Sequence, residues 1–169
     1  MIKIIKYFLQ AIFIYIFFFI GRILGINISR KISSFIFTST GPFIRSKKIV
    51  QNNLRIFSQN ISTFEENKIS LNMWRNYGMT FIEYIFLDYF RKSNIHVQIK
   101  NETYLTSLIE KNEQVIFISG HFANFELMSM EITKKNINLA TIYRPLNNFF
   151  LNPFMEYLRK KYVCQNQIK

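Results

Sequence analysis

The sequence predicts an α/β protein in which an N-terminal transmembrane helix and a helical region lead into a mainly parallel sheet flanked by helices. Three observations predict it. Tyr7 to Gly21 carries no charged side chain. Ser62-Thr63-Phe64-Glu65 is a capping-box pattern ahead of a long periodic stretch. Two apolar runs, Val115 to Ile118 and Leu139 to Tyr143, flank one stretch of helical spacing, and such a βαβ unit sets its strands parallel in one sheet.

Charge divides the chain unevenly. Residues 1–64 hold nine Lys or Arg and no acid, whereas residues 65–169 hold 13 basic and 10 acidic side chains. The net charge of +12 therefore belongs to the N-terminal third. A basic region beside an apolar one points to anionic lipid headgroups ahead of nucleic acid. The single Cys164 excludes an intrachain disulfide, and with two His in all there is no obvious zinc constellation.

Residues 1–27 read as a membrane anchor. The fifteen uncharged residues from Tyr7 to Gly21 form a helix of about 22 Å, short of the roughly 30 Å hydrocarbon core. Arg22 can snorkel, and Ile23-Leu24-Gly25-Ile26 extends the apolar stretch, giving a membrane helix over residues 5–26. A cleaved signal peptide and a helix lying in the interface are the alternatives. No small-residue cleavage site follows, and the apolar residues run all round the helix. Basic residues after the segment outnumber those before it, which places the remainder on the cytoplasmic side of a single-pass protein.

Residues 28–92 read as a basic, amphipathic helical region. Gly41-Pro42 breaks it once, and Phe43 to Phe57 forms a helix with Ile44, Ile49, Val50, Leu54 and Phe57 facing inward. The capped helix then runs to about Phe90, with Leu71, Trp74, Met79, Ile82, Ile85, Phe86 and Tyr89 as core positions and Glu83 among them. Residues 93–169 begin an α/β domain. His96 to Lys100 alternates like an edge strand, and Asn101 caps a short helix to about Lys111. Residues 114–119 form a buried strand, Ala123 to Lys134 a helix, and residues 138–143 a second strand that Arg144-Pro145 terminates. Asn147 or Asn148 leads into a last helix through about Tyr162.

Ser119-Gly120 ends the first strand, His121 follows at once, and Glu126 comes five residues later. On one continuous helix five positions turn about 500°, which would point the two side chains apart. With His121 in the turn and Glu126 on the first turns of the next helix, they can face each other. A carboxylate that fixes the tautomer of a neutral imidazole makes it a general base for a hydroxyl. The plainer alternative is a half-buried His near a helix start with an unrelated surface Glu. Arg144 stands just past the second strand, so parallel pairing brings it and His121 to the carboxyl edge where α/β sheets bind ligands. Its alternative is a solvated charge at a strand end.

These blocks resemble the lauroyl/myristoyl acyltransferases of lipid A biosynthesis, proteins of the lysophospholipid acyltransferase type. Gly120-His121-Phe122-Ala123-Asn124-Phe125-Glu126 is similar to that family's His-x4-Asp/Glu signature. Tyr143-Arg144-Pro145, followed by Asn147 and Asn148, is similar to its second block. Asn53-Leu54, Phe57, Trp74, Gly78 and Glu83 resemble its N-terminal helical region. The resemblance implies transfer of a fatty acyl group from a thioester carrier, acyl carrier protein or acyl-CoA, to a hydroxyl of a lipid A precursor. The setting would be lipopolysaccharide biosynthesis at the cell inner membrane. His121 and Glu126 would be catalytic, while Arg144 and Arg159 would hold anionic groups of the acceptor or polarise the thioester. No metal or organic cofactor is implied.

The partners implied are inner-membrane lipid, acyl carrier protein and the lipid A precursor. The family continues past the matching blocks, so residues 93–169 read as the N-terminal part of an acyltransferase domain. Either a separate chain supplies the C-terminal half or the chain is an inactive gene fragment. A membrane-anchored basic protein that binds lipid without chemistry is the reading from another class. It explains the charge of residues 1–64 but neither turn block.

Overall fold

A computed structural model describes residues 1–111 and 113–169. The protein is mostly helical, with one small parallel sheet. It forms two compact units, one of residues 16–84 and one of residues 1–15 together with 85–169.

Residues 16–84 are built from three helices. α1 (Ile2–Ile44) enters from the other unit and is two helices joined at Gly25, whose φ of 76° and ψ of 165° suit glycine. Ser29 Oγ donates to the Gly21 carbonyl at 2.7 Å across that joint. The predicted break at Gly41-Pro42 is therefore corrected. Pro42 lies in the last turn without ending the helix, and Arg45 N still donates to Gly41 O at 3.1 Å. Gly41 instead serves close approach, since a Cβ there would run into the Trp74 indole.

α2 (Lys47–Phe57) and α3 (Thr63–Glu83) follow. The capping box forms as read, with Ser62 Oγ accepting from Glu65 N at 3.2 Å and Glu65 Oε2 accepting from Ser62 N at 3.1 Å. α3 meets α1 through small groups: Ser33 Oγ donates to Gly78 O at 2.6 Å, and a Cβ on Gly78 would lie 2.5 Å from Ser33 O. Phe81 packs its ring among Phe17, Phe18 and Phe37. Two carboxylates are buried here and each meets an arginine Nε at 2.6 Å, Glu66 from Arg55 and Glu83 from Arg30. Trp74 and Ile82 are core, while Leu71 is exposed. The inward face assigned to Phe43–Phe57 is also corrected. Ile44, Ile49 and Phe57 are exposed, because the side of α2 that α3 holds is the polar one carrying Gln51 and Arg55.

In the second unit a 3-10 turn (Tyr84–Phe86) passes the chain from α3 into α4 (Leu87–Lys92). α5 (Glu102–Glu110), α6 (Glu126–Lys134) and α7 (Asn152–Tyr162) complete its helices. Leu87, Phe90, Met130, Ile132, Met155 and Leu158 are its buried centre. β1 (Ala140–Ile142) pairs in parallel with β2 (Asn166–Ile168), Ala140 opposite Asn166 and Ile142 opposite Ile168.

The strand read at 114–119 is not formed, and neither is the edge strand at His96–Lys100. Residues 113–122 have no ladder partner among the described residues, and Ile116 and Ile118 are 89% and 93% exposed. An apolar run signals a buried strand only where neighbours cover it, and β1 takes β2 instead. His96 rests on the rings of Tyr89 and Phe90.

The start of α1 belongs to this second unit. Tyr7 pairs with Phe149, Phe8 with Phe150 and Tyr15 with Phe154, all edge-on at 5.4–6.0 Å. Asn148 Nδ2 donates to Tyr7 O at 2.9 Å, and Tyr15 OH to Phe150 O at 2.8 Å. α1 is long and apolar enough to cross a membrane. A helix of this length and hydropathy is consistent with the membrane anchoring read from the sequence.

Candidate active site

A cavity of about 1080 Å³ lies within the second unit. Residues 113–117 and 119–121, α5, α6, β1 and the end of α7 line it. Much of the wall is apolar, from Leu105 and Leu108 through Ile132 to Leu139, and the charged groups are Glu113, Glu126, Arg144 and Arg159 beside His121.

Glu126 is the first residue of α6, where the unpaired N–H groups of a helix N-terminus favour a carboxylate. It is buried, and its Oε1 accepts from both Nε and Nη2 of Arg159 at 2.7 Å. Arg159 sits in the last turn of α7, where a cation suits the helix dipole, and its guanidinium lies 5.8 Å from the centre of the Tyr143 ring. His121 lies in the exposed turn before α6, with its ring edge-on to Phe125 at 4.3 Å. Ala123 takes a positive φ of 47° in that turn, which is why α6 begins later than its helical spacing suggests.

All four residues singled out from the sequence thus line one cavity. Glu126 and Arg159, 33 positions apart, meet directly. His121 and Glu126 are not hydrogen-bonded to each other among the described residues. Arg144 is exposed at the cavity rim. The sheet-edge argument for Arg144 does not hold, because residues 114–119 pair with no strand, but the shared cavity serves in its place. Sequence reasoning missed Phe125 as the seat of His121 and Tyr143 as the ring beneath Arg159. The four-residue spacing from His121 to Phe125 was the one available signal for the first.

Elsewhere on α7, Glu156 receives Lys160 Nζ at 3.0 Å and Lys169 Nζ at 3.3 Å. These two ammonium groups, Lys160 first, pull its carboxyl from 4.5 down to about 2. Gln167 Nε2 donates to Thr141 Oγ1 at 2.8 Å, tying β2 to β1 at the cavity wall. An apolar chamber with a paired carboxylate, two arginines and an imidazole at one region suits a long acyl chain ending in a polar, reactive group.

The bacterial lipid A biosynthesis acyltransferases match this chain over residues 2–164. The chain belongs to that family. Neither the curated proteins nor the solved structures gave a match. Family membership supports an acyltransferase role at the level of the family, and the match takes in every residue of the cavity except Gln167.

Proposed function

We propose that this protein transfers a fatty acyl group from a thioester carrier, acyl carrier protein or acyl-CoA, to a hydroxyl of a lipid A precursor. The observation that carries the reading is the buried Glu126–Arg159 pair in the wall of a largely apolar cavity that also presents His121 and Arg144. The acyl chain lies along Leu105, Ile132 and Leu139. Arg144, at the rim, engages an anionic group of the acceptor.

In the proposed reaction His121 turns from Phe125 toward Glu126 and accepts the proton of the acceptor hydroxyl. The oxygen forms a bond to the thioester carbonyl carbon, and the carbon–sulfur bond then breaks. The imidazolium returns its proton to the departing thiolate, so the ester and the free thiol are the products. Glu126 steadies the imidazolium, and Arg159 fixes the carboxylate that does so. The family and the apolar α1 support a membrane site of action, and we place it at the cytoplasmic face of the inner membrane with the start of α1 as a single-pass anchor.

The test is transfer of a labelled acyl group from its thioester to lipid A precursor in membranes carrying the protein and any companion chain. His121→Ala is expected to lower the rate by about 10²–10⁴-fold with unchanged membrane content. Undiminished transfer would remove His121 as the base.

A further inference from the structure

α2 shows the wrong face to solvent for a helix of a water-soluble surface. Gln51 and Arg55, four positions apart, meet Glu66 of α3 at 3.1 and 2.6 Å, so the polar face is the one held by protein. Ile49 and Ile56, seven positions apart, lie about 130° further round the helix. Ile56 is 84% exposed and Phe57 91%. Phe43 and Ile44, just before α2, are exposed as well, and Val50 and Leu54 are only half-buried. Between these apolar groups stand Arg45, Lys47 and Lys48, all exposed. Residues 1–64 contain no acid, and the nearest exposed carboxylate, Glu65, is bound by the Ser62 hydroxyl and backbone.

We propose that the face formed by Phe43, Ile44, Ile49, Ile56 and Phe57 rests in an anionic lipid surface, with Arg45, Lys47 and Lys48 against its headgroups. The two sets of groups together select that occupant. Exposed apolar side chains alone would accept any apolar partner, but three cations with no acid among them would repel a second copy of the same face. This contact joins the last residues of α1 to α2, away from the apolar first half of α1, and it gives residues 16–84 a membrane surface of their own whatever the chemistry of the cavity.

The full-length chain, with Cys164 replaced by Ala, is labelled with an environment-sensitive fluorophore at Ile56→Cys or, as control, at exposed Asn67→Cys. Because Cys164 is 2% exposed, the same labelling works with it retained if its replacement harms folding. Each chain is reconstituted in phosphatidylethanolamine–phosphatidylglycerol vesicles and in phosphatidylcholine vesicles. In the anionic vesicles the label at 56 is expected to be quenched by doxyl lipid and shielded from acrylamide, and the label at 67 to stay open to acrylamide. Lys47→Gln and Lys48→Gln should each lower the docked-to-free ratio by about fivefold, the factor equivalent to about 1 kcal/mol per basic residue at such a surface. Equal acrylamide access at 56 and 67 in anionic vesicles overturns the proposal. Shielding at 56 that follows protein density and ignores lipid charge overturns it too, by assigning the face to a second copy.

Discussion

Glu83 and Glu126 are chemically the same arrangement in two regions of the molecule. Each is a buried carboxylate gripped by an arginine, at 2.6 Å from Arg30 and 2.7 Å from Arg159. Their surroundings differ. Glu83 ends α3 in the helical unit, among Ile82 and Tyr84, both buried. Glu126 begins α6 and faces a cavity with an exposed imidazole on the same wall. A buried ion pair is therefore not by itself a sign of function. What separates a binding pair from a packing pair is empty space beside it and a second reactive group within that space.

The widest separation between the two regions should come from activity. Glu126→Ala and His121→Ala are each expected to cost about 10²–10⁴-fold in acyl transfer per folded molecule, with the double variant little worse because the two act as one unit. Glu83→Ala should leave the rate per folded molecule unchanged. Rates on matched amounts of folded protein check this, and a Glu83→Ala defect as large as that of Glu126→Ala would erase the distinction.

Stability should treat the two alike. Removing either carboxylate breaks an ion pair whose arginine is 27% exposed for Arg30 and 15% for Arg159. Breaking such a pair costs about 3–5 kcal/mol, readable as a shift in denaturation midpoint. A smaller effect is expected at the α1–α3 crossing. There Gly78→Ala forces a Cβ against Ser33 O and should cost about 1–3 kcal/mol, with no loss of rate in the surviving folded protein.

The smallest effect is a pH dependence at Glu156 of α7. The folded Glu156 carboxyl sits at about 2 against an ordinary 4.5, so its contribution is present above 4.5 and is lost as pH falls through the folded value. Acid unfolding followed between pH 5 and 2 should lose this component in Glu156→Gln. An acid limb of the same slope in both proteins would show that the lysine contacts do not stabilise α7 and β2.

The sequence was legible where local chemistry decides the outcome. The Ser62 capping box and the helices ending near Lys111 and Tyr162 rest on neighbours within a few positions. It was not legible where the partner is distant. Val115 to Ile118 has the composition of a buried strand, but nothing local says that β1 pairs with residues 166–168 instead. The outward apolar face of α2 was hidden for a related reason, since periodicity finds a face but not its direction. His121, Glu126 and Arg144 were singled out through their sequence blocks and Arg159 through the resemblance, and the cavity that they line is seen only in the fold.

The central claim is that the cavity bounded by residues 113–121, α6, β1 and α7 receives the acyl chain. A fatty acyl thioester carrying a diazirine in its chain, photolysed on the membrane-bound protein, tests it without requiring turnover. Cross-links are predicted in residues 113–117 and 137–143, competed by unlabelled thioester. Competable cross-links confined to residues 16–84 would contradict the account.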